Sequence, residues 1–207
     1  AGILGLLPGA LVGGRFADRI GRKKVLIGSV AIFAVFTLCT VWVNSFNSLL
    51  LVRFLAGAGL GAAMPILITL ASEAVSLQNR GRAVGLMYCG MPVGAAILSL
   101  VASTEFGANW KNIFYLGGLL PIIVIPVMMW LLPESKEFLK TQNPESATEA
   151  APQAAFKELL NADNLFRTLF IWVSYFFTLM VVYIMLSWLP SLFTELGFSR
   201  KEGATAQ

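Results

Sequence analysis

The sequence predicts an all-α, polytopic membrane protein, and three observations carry that prediction. Of the 207 residues, 57% are hydrophobic and only 13% charged, about half the charged share of an ordinary soluble domain. The mean hydropathy is +0.76. The apolar residues fall in runs approaching the roughly 20 residues that a helix needs to cross a bilayer. The cations gather in alternate linkers between those runs.

Six runs are candidate spans: residues 1–14, 25–43, 49–71, 83–102, 113–132 and 165–189. The first is short. The sequence opens inside it, with neither an initiator Met nor a signal peptide, and closes on the polar stretch FSRKEGATAQ. The chain is therefore expected to be a piece of a longer protein, and these spans are not expected to work by themselves. The linkers are short except for 133–164, which is polar and rich in Ala, Glu and Lys. Across its end, AAFKELLNADNLF has the pattern of an amphipathic helix lying on the membrane surface.

Successive linkers must lie on opposite sides of the bilayer. One set (15–24, 72–82, 133–167) holds Arg15, Arg19, Arg22, Lys23, Lys24, Arg80, Arg82, Lys136, Lys140, Lys157 and Arg167. The other (44–48, 103–112, 190–207) holds Lys111, Arg200 and Lys201. Eleven cations against three is a positive-inside bias, so the first set is expected to be cytoplasmic. The same segregation accounts for the basic pI near 9.3 without nucleic acid as a partner.

The densest linker, GGRFADRIGRKK over 13–24, mixes five cations with one acid, Asp18, and three glycines. Topology explains the Arg and Lys residues. It does not explain Asp18 or the glycines.

Within the spans, Gly57 and Gly61 form a GxxxG pair, and Gly90 and Gly94 flank Pro92. Glycines four apart let helix backbones approach closely in lipid. Pro92 lacks a backbone donor, so it is expected to kink its helix and release the Tyr88 carbonyl. Two readings stay open, plain tight packing and a helix that bends as the protein works.

Chemistry-bearing residues are few. There is no His, which removes the commonest general base and metal ligand. Cys39 and Cys89 sit in separate spans and read as small hydrophobes. No enzyme activity, metal or cofactor is expected. Arg53 is the one charge well inside a span. It either snorkels or pairs structurally, or it holds a substrate anion or a proton-carrying carboxylate. An Arg cannot itself release a proton. Glu73 closes the same span, roughly 30 Å from Arg53, and is expected in a charge network with Arg80, Arg82 and the basic patch. The last span carries Tyr175, Phe176, Phe177 and Tyr183. With Tyr88, the residues Tyr175, Phe176 and Tyr183 are candidate cavity lining, although aromatic side chains suit lipid equally well. Trp110 and Trp188 read as interface anchors.

Several motifs in order resemble those of the major facilitator superfamily. Gly14-x-x-x-Asp18-Arg19-x-Gly21-Arg22-Lys23-Lys24 is similar to its loop between helices two and three, and Arg53-x-x-x-Gly57-x-Gly59-x-Gly61 to its fourth-helix motif. Glu73 with Arg80-Gly81-Arg82, Trp110-Lys111-x-x-Phe114 and Pro133-Glu134-Ser135 resemble later landmarks. The finer pattern, including LMYCGMPVGAA and WLPSLFTELGFS, looks like the aromatic acid:proton symporters.

The resemblance implies a major facilitator-like bundle in a bacterial inner membrane, with about six helices here of an expected twelve. Residues 1–132 would be most of the first six-helix bundle, 133–164 the central cytoplasmic loop, and 165–207 the seventh helix and the start of the second bundle. It also implies a monomeric symporter, driven by protons, for a small aromatic carboxylate. The alternatives are another organic anion, a sugar, or drug/proton antiport. From other classes, the alternatives are a membrane-embedded receptor, a basic membrane protein that contacts nucleic acid, which the segregation of the basic loops argues against, and an intramembrane enzyme, which the absence of His and of paired midplane carboxylates argues against. Gly14, Asp18, Arg19, Gly21, Arg22 and Lys23 would form a cytoplasmic gate in which Asp18 caps a neighbouring helix and pairs with Arg. Arg53 and Glu73 match positions important for transport. The family's acidic signature belongs to a first helix outside this sequence, which fits the lack of a midplane carboxylate.

Overall fold

The computed structural model describes residues 1–102, 104–141 and 162–195. The described residues form α1 (Gly2–Ile20), α2 (Arg22–Cys39), α3 (Phe46–Glu73), α4 (Arg80–Ala102), α5 (Trp110–Leu131), the short α6 (Lys136–Thr141) and α7 (Ala162–Glu195), with no strand among them. Three single-turn 3₁₀ segments join α2 to α3, α3 to α4, and α4 to α5. The chain divides into two compact units, Ala1–Asn143 and Pro144–Gln207. α7 is the described helix of the second unit, and its apolar side chains are largely exposed. The expected surface helix at 154–166 lies outside the described residues except for its last five positions, which open α7.

Five segments, Arg22–Trp42, Phe46–Glu73, Leu77–Ala102, Trp110–Leu131 and Asn164–Met185, are long and apolar enough to cross a membrane. The first of the six expected spans differs. α1 is a helix of 19 residues, but Arg15, Asp18 and Arg19 lie within it, and those charges take it out of the set. The supposed linker 15–24 is helical on both sides of one residue, Gly21. α3 begins three residues earlier than expected because Ser45 caps it, its Oγ accepting from the Ser48 N–H at 3.3 Å. α4 is continuous through Pro92.

The first unit is organised around α3. Gly5, Gly9 and Gly13, four residues apart on α1, present a flat face to α3. A Cβ added at Gly9 would stand 2.8 Å from the Ala58 Cα, and one at Gly61 2.6 Å from the Leu6 Cα. Gly57 lies against the backbone of Gly2 in the same way. The order of these contacts makes α1 and α3 parallel, as two helices separated by one antiparallel span must be.

Gly59 turns to α2, where a Cβ would stand 2.7 Å from the Phe33 N. Gly118 brings α5 onto Leu38 and Ala34 of α2. Small residues allow this approach where lipid supplies no hydrophobic drive. Gly90 and Gly94 of α4 have nothing within 4 Å, so their spacing serves no packing among the described residues. A buried cluster of Ala17, Leu26, Ala63 and Ile66, flanked by Met128 and Leu132, closes the basic end of the bundle.

Replacing Gly9 with Leu puts a side chain where the α3 backbone stands. In the full-length natural protein in detergent, Gly9→Leu is expected to destabilise by about 1–3 kcal/mol, the usual cost of overpacking. Gly28→Ala has open space around it and should stay within about 0.5 kcal/mol of the parent. Thermal unfolding followed by circular dichroism checks both.

Candidate functional site

Several side-chain hydrogen bonds join different helices at the basic end of the first unit, where α1 hands over to α2, α3 ends, and α5 leads into α6. Gly21 makes the first of these turns with φ +106, a backbone region that L side chains rarely occupy. A Cβ there would also stand 2.6 Å from the Glu134 Oε2, the movable tip of a side chain, so it is the backbone conformation that requires glycine.

Arg22, the first residue of α2, forms an ion pair with Glu73, the last residue of α3. Arg22 Nη1 also donates to Ser135 Oγ at 3.1 Å. Ser135 Oγ in turn donates to Glu73 Oε2 at 2.6 Å, closing a ring of three side chains. Ser135 is 2% exposed and caps α6, its Oγ accepting from the Phe138 N–H at 3.2 Å.

Beside this ring, Glu134 Oε1 accepts from the backbone N–H of Lys23 at 2.9 Å and from that of Ser135 at 3.0 Å. A carboxylate at the first turn of α2 satisfies an otherwise open donor and complements the helix dipole. Lys23 Nζ donates to the Met129 carbonyl at 2.8 Å, near the end of α5. The ends of α2, α3 and α5 are thus tied by charge-assisted bonds that must break together if these ends separate.

Several sequence expectations land differently. Glu73 is in a charge network, but its partners are Arg22 and Ser135. Arg80 and Arg82 are exposed at the start of α4. Asp18 is exposed and forms no hydrogen bond or ion pair among the described residues. Here Glu134 supplies the acid that caps a helix start. Gly14 has open space around it, and Arg19 is exposed. Sequence reasoning passed over the roles of Glu134 and Ser135. Their signal was a Ser three residues before a helix N–H, in a stretch already noted as Pro133-Glu134-Ser135.

Arg53 lies at the opposite end, in the second turn of α3. Its guanidinium sits 4.5 Å from the centre of the Phe114 ring on α5, a cation–π distance. A cavity of about 380 Å³ surrounds it, lined also by Thr40, Asn44, Ser45 and Trp110. Tyr88 is exposed on α4, and Tyr175, Phe176 and Tyr183 are exposed on α7.

Among the described residues the polar groups cross-link helix ends rather than converge on a reactive atom. This is the construction of a polytopic helical membrane protein. Residues 1–206 match the Major Facilitator Superfamily, and the chain belongs to that family. It is 47% identical over 99% of its length to the 3-(3-hydroxy-phenyl)propionate transporter of Escherichia coli, covering 49% of that protein. It is 37% identical to the 4-hydroxybenzoate transporter of Acinetobacter baylyi and 34% identical to the gallate transporter of Pseudomonas putida, in each case over 99% of the chain and 51% of the relative. The chain spans about half the length of these curated relatives. Among solved structures, a D-xylose–proton symporter superposes with a TM-score of 0.70 at 17% identity, over 98% of this chain and 52% of that one. That likeness concerns the fold.

Arg22 and Glu73 keep 19% and 13% of their side-chain surface exposed. Glu73→Gln should therefore cost less than the roughly 3–5 kcal/mol of breaking a fully buried pair, about 2 kcal/mol. Arg80→Ala should stay within about 0.5 kcal/mol. A double-mutant cycle of Arg22→Ala and Glu73→Ala, read by thermal unfolding, isolates the pair.

Proposed function

We propose that the full-length protein is a proton-coupled symporter that takes up a small aromatic carboxylate across a bacterial inner membrane by alternating access. The observation that carries this reading is the 47% identity, over nearly the whole chain, to a transporter named for a hydroxyphenylpropionate. The names of the other relatives, 4-hydroxybenzoate and gallate, also describe an aromatic ring bearing a carboxylate.

Arg53 supplies the complementary charge. Its guanidinium presents planar donors suited to a carboxylate, and the Phe114 and Trp110 rings beside it offer apolar surface for the substrate ring. A guanidinium does not give up its proton in a protein, so Arg53 can bias a nearby acid but cannot carry the coupled proton.

The ring of Arg22, Glu73 and Ser135, with Glu134 on the α2 N-terminus, acts as the cytoplasmic latch. Gly21 and Lys23 hold it in register. Gly14, Asp18 and Arg19 belong to the same gate. Tyr88, Tyr175, Phe176 and Tyr183 line part of the substrate path. The basic linkers face the cytoplasm, and the full protein works as a monomer.

Right-side-out vesicles carrying the full-length protein should accumulate labelled 3-(3-hydroxyphenyl)propionate, and an uncoupler should abolish accumulation. Arg53→Gln is expected to reduce uptake at least tenfold while the protein remains in the membrane. Accumulation that survives collapse of the proton gradient would overturn the coupling. Uptake of a sugar in preference to aromatic acids would overturn the substrate class.

A further inference from the structure

The bonds of the latch engage Arg22 and Lys23 and leave three cations of the same patch outside them. Arg15, Arg19 and Lys24 are exposed and form no hydrogen bond or ion pair among the described residues. Lys24 lines the basic end of a groove of about 520 Å³ between α1 and α2, with α3 as its floor, and Arg15 and Arg19 lie on the adjoining last turns of α1. That volume falls in the range of about 300–1,000 Å³ usual for ligand sites.

The walls include Phe16 and Ile20 from α1, Ile32 and Phe36 from α2, and Ala58 and Ala62 from α3. Ser29 is one of two polar side chains on the lining, and its hydroxyl is already spent on the Val25 carbonyl at 2.7 Å. The other is Lys24, at the mouth. Arg19 follows Phe16 by three residues and Val12 by seven, and Arg15 follows Val12 by three and Pro8 by seven, spacings that put both on the turns flanking the groove face of α1. Asp18 lies two residues from both Phe16 and Ile20, and so on the opposite side of α1. The mouth is therefore cationic and the channel behind it is apolar.

We propose that this groove binds one anionic phospholipid, with a hydrocarbon tail along α1 and α2 and the phosphate on Lys24 and Arg19. A soluble ligand would find no open hydrogen-bonding group inside the groove. A zwitterionic lipid would bring a cation to a mouth that already holds cations. Basic pockets between helices on the cytoplasmic side suit acidic headgroups on the same grounds. Gly28 matters because it has no neighbour within 4 Å. The missing side chain leaves the middle of the groove open.

The test uses the full-length natural protein in detergent, titrated with phosphatidylglycerol or with phosphatidylcholine of the same chains. Retained lipid is counted by native mass spectrometry. One phosphatidylglycerol should be retained in preference to phosphatidylcholine. Lys24→Gln and Arg19→Gln should each weaken retention about fivefold, the factor expected for one basic residue near an acidic headgroup. Gly28→Leu fills the groove without touching a charge, and it should abolish retention. Arg80→Gln, an exposed cation on the same face but away from the groove, should change nothing. Equal retention of the two lipids, an equal loss with Arg80→Gln, or full retention by Gly28→Leu would each overturn the proposal.

Discussion

In a bilayer, helices gain little from hiding apolar side chains from one another, because the lipid tails are as apolar as the helices. Association rests on close van der Waals contact, and that contact needs small residues. The whole first unit follows from this constraint. Gly57 and Gly61 of α3 meet α1, Gly59 on another side meets α2, and α5 reaches α2 through Gly118. α3 is the hub because it carries small residues on two faces. α4, with larger residues exposed along its length, has no buried residue.

Close backbone approach along the spans places the helix ends near one another, and there the chemistry changes. Helix ends leave donors and acceptors open. Here the open groups are met by side chains from other elements: Glu134 serves the start of α2, Lys23 the end of α5, and Ser135 the start of α6. The Arg22–Glu73 pair lies in the middle of these bonds, partly shielded from water. A pair in this position contributes little net stability after desolvation, but an unmatched charge left there is costly. Such a network favours one arrangement of helix ends over others more than it favours folding itself.

Much of the fold was legible in the sequence because the bilayer imposes strong rules. Run length marked the spans, and the Lys and Arg asymmetry separated the two sets of linkers. The GxxxG pair at Gly57 and Gly61 correctly announced a tight contact. The seam opposite it, Gly5, Gly9 and Gly13, was equally visible as glycine every fourth residue, but it lay in a run taken to be truncated. Gly90 and Gly94 show the limit of spacing as a signal, since the same pattern meets nothing among the described residues. For the site, sequence distance was the obstacle. Arg80 and Arg82 are near Glu73 along the chain, whereas Arg22 and Ser135 are 51 and 62 positions away. A charge network is decided by where helix ends meet, and that is a tertiary property. The helical state of 15–20 was hidden because Arg and Asp suggested a solvated linker, although nothing in that stretch disfavours a helix before Gly21.

The single non-helical residue at position 21 bears on how the bundle can move. Helices of 19 and 18 residues meet across one glycine, and no slack chain lies between them. Glycine can swivel, but a link this short cannot stretch. Whatever swings when this protein works, the facing tips of these two rods must travel together.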